Sequence, residues 1–297
     1  MARERDRAVS PGTLVIVGTP IGNLGDLSER AAEALAAADL IACEDTRHTG
    51  SLLARRGIEP HRLLSLHEHN EASRSTEILA LLDRGATVAL VSDAGMPVIS
   101  DPGARLVAAV AASDHAVTVV PGPCAAVTAY VVSGLAAGRY AFEGFLPRSG
   151  PERRERLAAI AGSSCPSVVY EAPGRVATTL ADLLEACGGA RRVAICRELT
   201  KLYEEVWRGD LGEAADRARG RKALGEHVVV VDAREAAGPI ERSDIELALT
   251  RHLSAGVSRR DAVGATMLEL GTSRRETYEA ALGLDAVRHE PGPRDAP

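Results

Sequence analysis

Short apolar runs alternate with amphipathic stretches along the first 120 residues, and this alternation constrains the fold more than any other feature. Runs of strand length occupy residues 14–17, 40–43, 62–66, 87–92 and 116–120. Helical stretches separate most of them, and two of these stop at Gly57 and Gly85, as helices often do. Because strands that alternate with helices at this spacing form a parallel sheet covered on both faces, we predict an α/β domain over residues 12–122.

The pattern of strands and helices changes after residue 123, where two strand-like segments follow each other with few residues between them. The apolar run 191–199 precedes the alternating segment 203–209, which predicts an antiparallel pair. A further buried strand is predicted at 225–233. We therefore predict a second α/β domain over residues 123–235, with a mixed sheet.

The last part of the chain carries no strand signal. Three helical segments follow Ser243, and the last two each begin at a serine and are followed by a glycine. This pattern predicts a small helix-turn-helix-like domain over residues 240–285. Residues 1–11 and the Pro- and Arg-rich residues 286–297 are expected to be disordered tails.

Composition and charge narrow the possible functions. The chain is typical of a globular protein, and no apolar stretch reaches the roughly 20 residues of a membrane span. No apolar run follows the N-terminal charges, so we expect no secretory signal. The net charge of −6 and the 3% of aromatic residues argue against a protein that coats nucleic acid nonspecifically, so RNA would have to be recognised by local arginines in a defined cleft. Composition alone favours an α/β enzyme acting on a small molecule.

Cysteines and histidines give no strong sign of a metal site. Five cysteines without a Cys-x-x-Cys pair indicate free thiols in a reducing cytoplasm. His67 and His69 could point both rings to one face of an extended segment and hold a metal. A third ligand would have to come from elsewhere, and the start of a polar helix explains the segment better. We therefore predict no metal.

Three loops that follow predicted strands could bind a ligand. In the loop 91–103, Asp93 is a candidate ligand for the sugar or amine of a nucleoside-like cofactor, or else an Asx turn or helix cap. The loop 18–26 holds three glycines, but it matches neither GxGxxG nor a Walker loop. The loop 121–126 lies between the two predicted domains, where it would line a cleft or act as a rigid linker.

Nine sequence blocks carry a resemblance to a known family. They are GTPIGNLGDLSERA, CEDTRHTGSLL, HEHNE, VSDAGMPVISDPG, PGPCA, FEGFLPR, YEAPGR, RELTKLYEEVWRG and GEHVVVV. In this order, from about residue 12 to 232, they resemble the signature blocks of the ribosomal RNA small-subunit methyltransferase I family, within the tetrapyrrole methylase superfamily. The helical tail is similar to the C-terminal domain of that family. One departure is Cys124, where a serine is commoner.

The resemblance implies two α/β domains with S-adenosylmethionine bound in the cleft between them, in a homodimer. It implies methylation of the ribose 2′-hydroxyl of a cytidine in the decoding region of 16S rRNA, which makes the small ribosomal subunit the expected partner. Matched motif by motif, the cofactor-binding residues are Pro20, Asp93, Gly95, Met96, Pro97, Cys124, Ala125, Tyr170, Glu171 and His227.

The implied chemistry is displacement at the methyl carbon of a sulfonium, which needs orientation in a dry cleft and no metal. A neutral ribose hydroxyl is a poor nucleophile, so a base, or a cation that lowers its pKa, should assist. The candidates for this role are Asp45, Glu198 and Lys201. The candidates for phosphate contacts are Arg47, Arg153 and Arg154, although surface ion pairs and solvated helix faces explain most such charges.

Two other functions remain open at this point. A methyltransferase of corrin or tetrapyrrole precursors would share the fold and suit the acidic charge, but the CEDTRHT and FEGFLPR blocks argue against it. A non-catalytic ribosome-associated RNA-binding protein would use its helical tail. Residues 240–283 carry six arginines and seven acids, however, so this tail would attract RNA only weakly. A metal hydrolase built on the histidine pair is a more distant alternative.

Overall fold

The computed structural model describes residues 12–220, 223–235 and 241–288. Among them, residues up to Arg234 form one compact unit and residues from Glu235 onward form a second. Residues 1–11 and 289–297, where tails are predicted, lie outside the described residues. The last helix continues to Arg288, three residues into the predicted C-terminal tail.

The first half of the larger unit contains the parallel sheet that the alternation predicts. Its strands are β1 (Thr13–Val17), β2 (Leu40–Cys43), β3 (Leu63–Ser65), β4 (Thr87–Leu90) and β5 (Ala116–Val120). They lie in the order β3-β2-β4-β1-β5, and all neighbouring pairs are parallel. The helices are α1 (Glu29–Ala37), α2 (Thr46–Arg55), α3 (Glu71–Leu82) and α4 (Ala104–Ala111). Because side chains alternate between the faces of a strand, α1 and α2 pack on one face and α3 and α4 on the other.

The second half contains a mixed sheet, as predicted. Its strands are β6 (Ala141–Phe145), β7 (Ser167–Glu171), β8 (Arg192–Arg197), β9 (Glu205–Asp210) and β10 (His227–Val231), in the order β6-β7-β10-β8-β9. β6 and β7 are parallel and the other pairs are antiparallel. The helices are α5 (Ala125–Val132), α6 (Gly150–Gly162), α7 (Val176–Cys187) and α8 (Leu211–Ala218). α5 covers one face of the sheet, and the other three helices cover the opposite face.

The two sheets are joined rather than separate. The predicted boundary between residues 122 and 123 falls between β5 and α5, yet both sheets belong to one compact unit. Ile21, from the loop after β1, packs into the apolar cluster between α5 and the second sheet. The loops of the first sheet therefore lie against the second half, where a shared site can form.

The smaller unit is helical and consists of α9 (Arg242–Ser254), α10 (Arg259–Leu270) and α11 (Arg274–Arg288). Ser258 caps α10 by accepting a hydrogen bond from the Asp261 N–H, and Gly271 ends the helix with a φ of 67°. Its core includes Ile245, Leu249 and Val263. In the part of the chain that the structure describes, no helix is long and apolar enough to cross a membrane.

Candidate functional site

Three loops that follow strands of the first sheet meet at its edge. Thr19 and Gly95 exchange two backbone hydrogen bonds, of 2.9 and 3.2 Å, which join the loops after β1 and β4. Gly18 faces the loop after β5 so closely that a Cβ on Gly18 would lie 2.6 Å from the Cα of Gly122. Glycine is therefore required at these two positions, because the backbones touch where a side chain would stand.

A cavity of about 330 Å³ opens beside these loops, and both sheets line it. Gly95 and Asp101 border it from the first half, and Tyr170 and His227 border it from the second. His227 is paired with Glu171 in the register of β10 and β7, so the beginning of one strand and the end of the other reach the same place. The lining is mostly apolar with a few polar groups, which is typical of a small-molecule site.

The second half contributes an aromatic wall. The Tyr170 hydroxyl accepts a hydrogen bond from the Ala126 N–H in the first turn of α5, at 3.0 Å. The Tyr170 ring makes edge-to-face contacts with Phe142 and Phe145, at centroid distances of 5.0 and 5.6 Å. Burial raises the pKa of Tyr170, so its hydroxyl stays protonated. Phe145 remains 54% exposed and borders the cavity.

Glu171 and His227 lie side by side on this wall, but their side chains differ in how many polar partners they already have within the protein. The Glu171 carboxylate accepts a hydrogen bond from the Thr179 hydroxyl at 2.5 Å and pairs with Arg175 at 3.3 Å. Burial lowers the pKa of His227, whose Nδ1 lies 3.0 Å from the Gly225 carbonyl oxygen. The imidazole is therefore neutral, with its hydrogen on Nδ1 and an acceptor at Nε2.

The first half contributes an acidic wall, formed by Asp101 at the cavity and by Asp93 and Glu44 close to Asp101. Asp93, three residues after β4, accepts a hydrogen bond from the Asp45 N–H at 3.1 Å. Burial and the nearby charges of Glu44 and Asp93 together raise the pKa of Asp101 to about 7, against a hydrogen bond from Ser92 that lowers it. Burial and Asp93 likewise raise the pKa of Glu44. This concentration of carboxylates favours a positively charged ligand.

Two of the predicted catalytic acids are held as weak bases. A hydrogen bond from Arg47 lowers the pKa of Asp45 to about 2. A hydrogen bond from Lys201 lowers the pKa of Glu198. Neither acid borders the central cavity, so the structure does not favour Asp45 or Glu198 as the general base, and their catalytic roles stay predictions.

Lys201 is held as a cation. Its Nζ lies 2.8 Å from Glu198 Oε1 and 3.0 Å from Glu226 Oε2. Burial alone would lower the pKa of Lys201, but these two hydrogen bonds outweigh it and raise the pKa above its ordinary value. Lys201 can therefore stabilise negative charge but cannot accept a proton.

The structure brings most of the predicted cofactor-binding residues to the central cavity. Those that border it are Gly95, Met96, Cys124, Ala125, Tyr170, Glu171 and His227. Pro20 and Asp93 instead border an adjoining cavity of about 210 Å³, together with Lys201. The two cavities share Ile21, Ala94 and Glu226 as lining residues. Pro97 borders neither cavity.

Arg153 does not lie where a phosphate could reach it, and its predicted substrate contact is wrong. Its side chain is buried between α6 and α7, where the guanidinium donates to Asp182, to the Pro147 carbonyl and to the Thr179 hydroxyl. Thr179 also donates a hydrogen bond to Glu171, the last residue of β7. Arg153 therefore stabilises the end of β7 through Thr179. Arg154, the next residue, is exposed and stays a candidate for RNA contact.

Two cavity residues, Asp101 and Phe145, were missed by the sequence reasoning although both lie in quoted blocks. Asp101 stands eight residues after Asp93 in the same loop, where only the strand-end acid was selected. Phe145 lies in the FEGFLPR block, whose alternation predicts a strand but not which face borders a ligand. Their positions depend on how the two halves pack, which the local pattern does not contain.

The histidine pair is part of a local hydrogen-bonded turn. The rings of His67 and His69 have centroids 6.0 Å apart, and Asn70 Nδ2 lies 3.0 Å from His67 Nε2. Across the described ranges, no group of three His, Cys, Asp or Glu residues is placed to hold a metal ion. The five cysteines are free thiols.

Comparison with known proteins defines the class of this fold. The sequence profile of the Tetrapyrrole (Corrin/Porphyrin) Methylases matches residues 13–215. A solved structure of a cobalt precorrin-4 methyltransferase superposes with a TM-score of 0.58 at 14% identity, covering 77% of this chain and 98% of that one. A uroporphyrin-III C-methyltransferase from Thermus thermophilus, complexed with S-adenosyl homocysteine, gives a TM-score of 0.53 at 17% identity, covering 74% and 96%. The fold is that of the tetrapyrrole methylases.

Curated relatives of high identity specify the family. The ribosomal RNA small subunit methyltransferase I of Mycobacterium tuberculosis (strain CDC 1551 / Oshkosh) is 45% identical over 276 residues, which cover 92% of this chain and 96% of the relative. The protein of the same name from Synechocystis sp. is 40% identical, with coverage of 93% and 99%. This chain therefore belongs to the ribosomal RNA small subunit methyltransferase I family of tetrapyrrole methylases.

Proposed function

We propose that this chain transfers the methyl group of S-adenosylmethionine to the 16S rRNA of the small ribosomal subunit. We propose further that the acceptor is the 2′-hydroxyl of a cytidine in the decoding region. Family membership supports the RNA substrate. The observation that carries the proposal is a single cavity with an acidic wall from one sheet and an aromatic wall from the other.

The residues present fit this cofactor. The cavity of about 330 Å³ lies within the range of about 300–1,000 Å³ that is usual for small-molecule sites. Met96 and Ala125 would pack against apolar parts of the cofactor, and Tyr170 would offer a ring face to a positive group. Asp93, next to the cavity, would bind hydroxyl or amine groups. The acidic wall matches the positive charge of a sulfonium.

The chain's own residues contribute orientation and charge. When bound, S-adenosylmethionine supplies a methyl group already activated by a positively charged sulfur. The mostly apolar lining would exclude water, and the loops of the first wall would orient the acceptor hydroxyl toward the methyl group. Lys201, kept protonated by Glu198 and Glu226, would stabilise negative charge that develops on the attacking oxygen.

Three exposed residues are suited to RNA, and one of them, Phe145, borders the cavity. Phe145 presents an aromatic face at the cavity, on which a base taken out of its stack could lie. The Arg47 side chain is 90% exposed, and its pairing with Asp45 leaves further N–H groups for a phosphate. Arg154 lies exposed on α6. We therefore propose Arg47 and Arg154 as phosphate contacts.

We also propose that two copies pair through the end of the first sheet. β5 is an edge strand that leaves Val117 and Val119 exposed, and α5 leaves Val127 and Val131 exposed. Apolar side chains on an unpaired strand edge favour association with another chain. Light scattering should give twice the chain mass of 31.1 kDa. Replacing Val119 with lysine should return the mass to that of one chain, whereas a single-chain mass for the unaltered protein would contradict the pairing.

The assay that tests the activity compares acceptors. Labelled methyl transfer is measured with assembled small subunits, free 16S rRNA and a tetrapyrrole precursor, followed by nucleoside mass spectrometry. We expect label in 2′-O-methylcytidine from the ribosomal acceptor. Label in the tetrapyrrole alone would support the corrin-type alternative. Binding to the subunit without transfer would support the non-catalytic alternative.

A further inference from the structure

The loop that carries Asp101 is held in a strained and fixed conformation. Val98 and Ser100 have φ angles of 75° and 66°, values that non-glycine residues rarely adopt. Such strain persists where surrounding contacts enforce it, and it is common at functional sites. Ser100 Oγ lies within 3.2 Å of where a Cβ on Gly144 would stand, so β6 of the second half packs closely on this loop.

A buried carboxylate fixes the far end of the same loop. Glu71, the first residue of α3, places Oε1 within 3.1 Å of the Gly103 nitrogen, 2.8 Å of the Arg105 nitrogen and 3.3 Å of the Leu106 nitrogen. These three N–H groups begin α4, and the helix dipole adds to their attraction for an anion. Asp101, two residues before Gly103, is thus held between a clamped helix start and the second half.

Three acidic residues border the central cavity, and they differ in how their carboxylates are engaged. Glu171 pairs with Arg175, and Glu226 pairs with Lys201. Among the described residues, no lysine or arginine pairs with Asp101. Asp101 is therefore, among the described acids of the cavity, the one without a cationic partner.

We propose that Asp101 is the general base that accepts the proton of the attacking hydroxyl. This role rests on the proposed methyl transfer to a ribose hydroxyl. As the oxygen bonds to the methyl carbon, the carbon–sulfur bond breaks and its electron pair stays on sulfur, which becomes a neutral thioether. The hydroxyl proton passes to the Asp101 carboxylate and is later released to water.

The charges around Asp101 suit this task. The groups whose charges or hydrogen bonds act on it are Glu44 after β2, Ser92 and Asp93 after β4, and Tyr170 on β7. None of them is a cation, and burial together with the two acids raises the pKa of Asp101 to about 7. A base with a pKa near the working pH combines a large ionised fraction with a strong pull on the proton.

The first test is Asp101→Asn. The matched control is Asp114→Asn, in the exposed turn before β5, at the other end of the strands. With ribosomal acceptor in excess, we expect kcat to fall by about 10²–10⁴-fold and its rise with pH near 7 to disappear, as loss of a general base predicts. Calorimetry should give an unchanged Kd for S-adenosylhomocysteine. The control should match the unaltered protein in all three respects.

Glu44→Gln gives an independent test, because removing a neighbouring negative charge lowers the pKa of Asp101. The rise of kcat with pH should move to lower pH, and its plateau should fall rather than rise, because a weaker base pulls less strongly on the proton. A direct readout is the carbon-13 resonance of the Asp101 carboxyl in the cofactor-free protein, assigned by its loss in Asp101→Asn. We expect it to titrate near pH 7.

The possible outcomes distinguish the proposed methyl transfer from the proposed role of Asp101. No transfer by the unaltered protein to any ribosomal acceptor contradicts the proposed function, and this role of Asp101 with it. Transfer that survives Asp101→Asn at a similar rate contradicts the role alone. A large loss of S-adenosylhomocysteine affinity in Asp101→Asn would make Asp101 a cofactor ligand, and a carboxyl that titrates below pH 5 would overturn the base.

Discussion

The two walls of the cavity are built by different topological rules. On the first wall, parallel strands all end at the same edge, so the loops after β1, β4 and β5 converge there with their glycines and acids. On the second wall, antiparallel pairing places the beginning of β10 beside the end of β7. The first wall is acidic, whereas the second combines aromatic rings with two acids, Glu171 and Glu226, that pair with cations. A site between unlike sheets therefore need not consist of strand-end loops alone.

The largest expected effect is a loss of stability on replacing Arg153, which contacts the second wall through Thr179. Arg153→Ala should lower the free energy of unfolding by about 3 kcal/mol, because it leaves Asp182 without its partner in a largely buried pair. Arg154→Ala is the control and should change stability by less than about 0.5 kcal/mol while weakening RNA binding. Chemical denaturation measures both. Equal stability of the two variants would mean that Arg153 does not support the second wall.

The next effect tests the close loops of the first wall. Gly18→Ala should cost about 1–3 kcal/mol, because the new Cβ would overlap the backbone of Gly122. It should also weaken S-adenosylhomocysteine binding by displacing the loop after β1. Gly162→Ala, at the end of α6 with no atom within 4 Å of its Cβ position, is the matched control and should be neutral or stabilising. A stable Gly18→Ala protein with normal affinity would contradict the tight convergence of these loops.

The smallest effect concerns the contact between the second wall and α5. Tyr170→Phe removes the acceptor of the Ala126 N–H and should lower stability by about 1 kcal/mol. The ring contacts with Phe142 and Phe145 remain, so affinity for S-adenosylhomocysteine should change less than in Gly18→Ala. Thermal unfolding and calorimetry provide the two readouts. A larger loss of affinity than in Gly18→Ala would give the hydroxyl a direct role in binding.

The sequence predicts the first wall better than the second, for a physical reason. Loops after parallel strands must share an edge, so the alternation of strands and helices was enough to select the loops that carry Gly18 and Asp93. Nothing local marks the first residue of an antiparallel strand as part of a site. Tyr170 and His227 therefore came from the family resemblance and not from spacing.

The burial of individual side chains and their ion-pair partners could not be predicted from the sequence either. An arginine on a helix has the same local pattern whether it faces water or a buried acid, so Arg153 and Arg154 looked alike until Asp182 was placed beside the first of them. The raised pKa of Asp101 depends first on burial and then on Glu44 and Asp93, which come from separate loops. Such properties arise from contacts between segments far apart in the chain.

If both walls form one site, a single S-adenosylmethionine molecule must contact them both. A crystal structure of the protein with S-adenosylhomocysteine would show this. We expect a single ligand in the cavity, in contact at once with Gly95 or Met96 from the first half and with Tyr170 or His227 from the second. A ligand held by the loops of the first sheet alone, or bound elsewhere on the chain, would contradict this expectation.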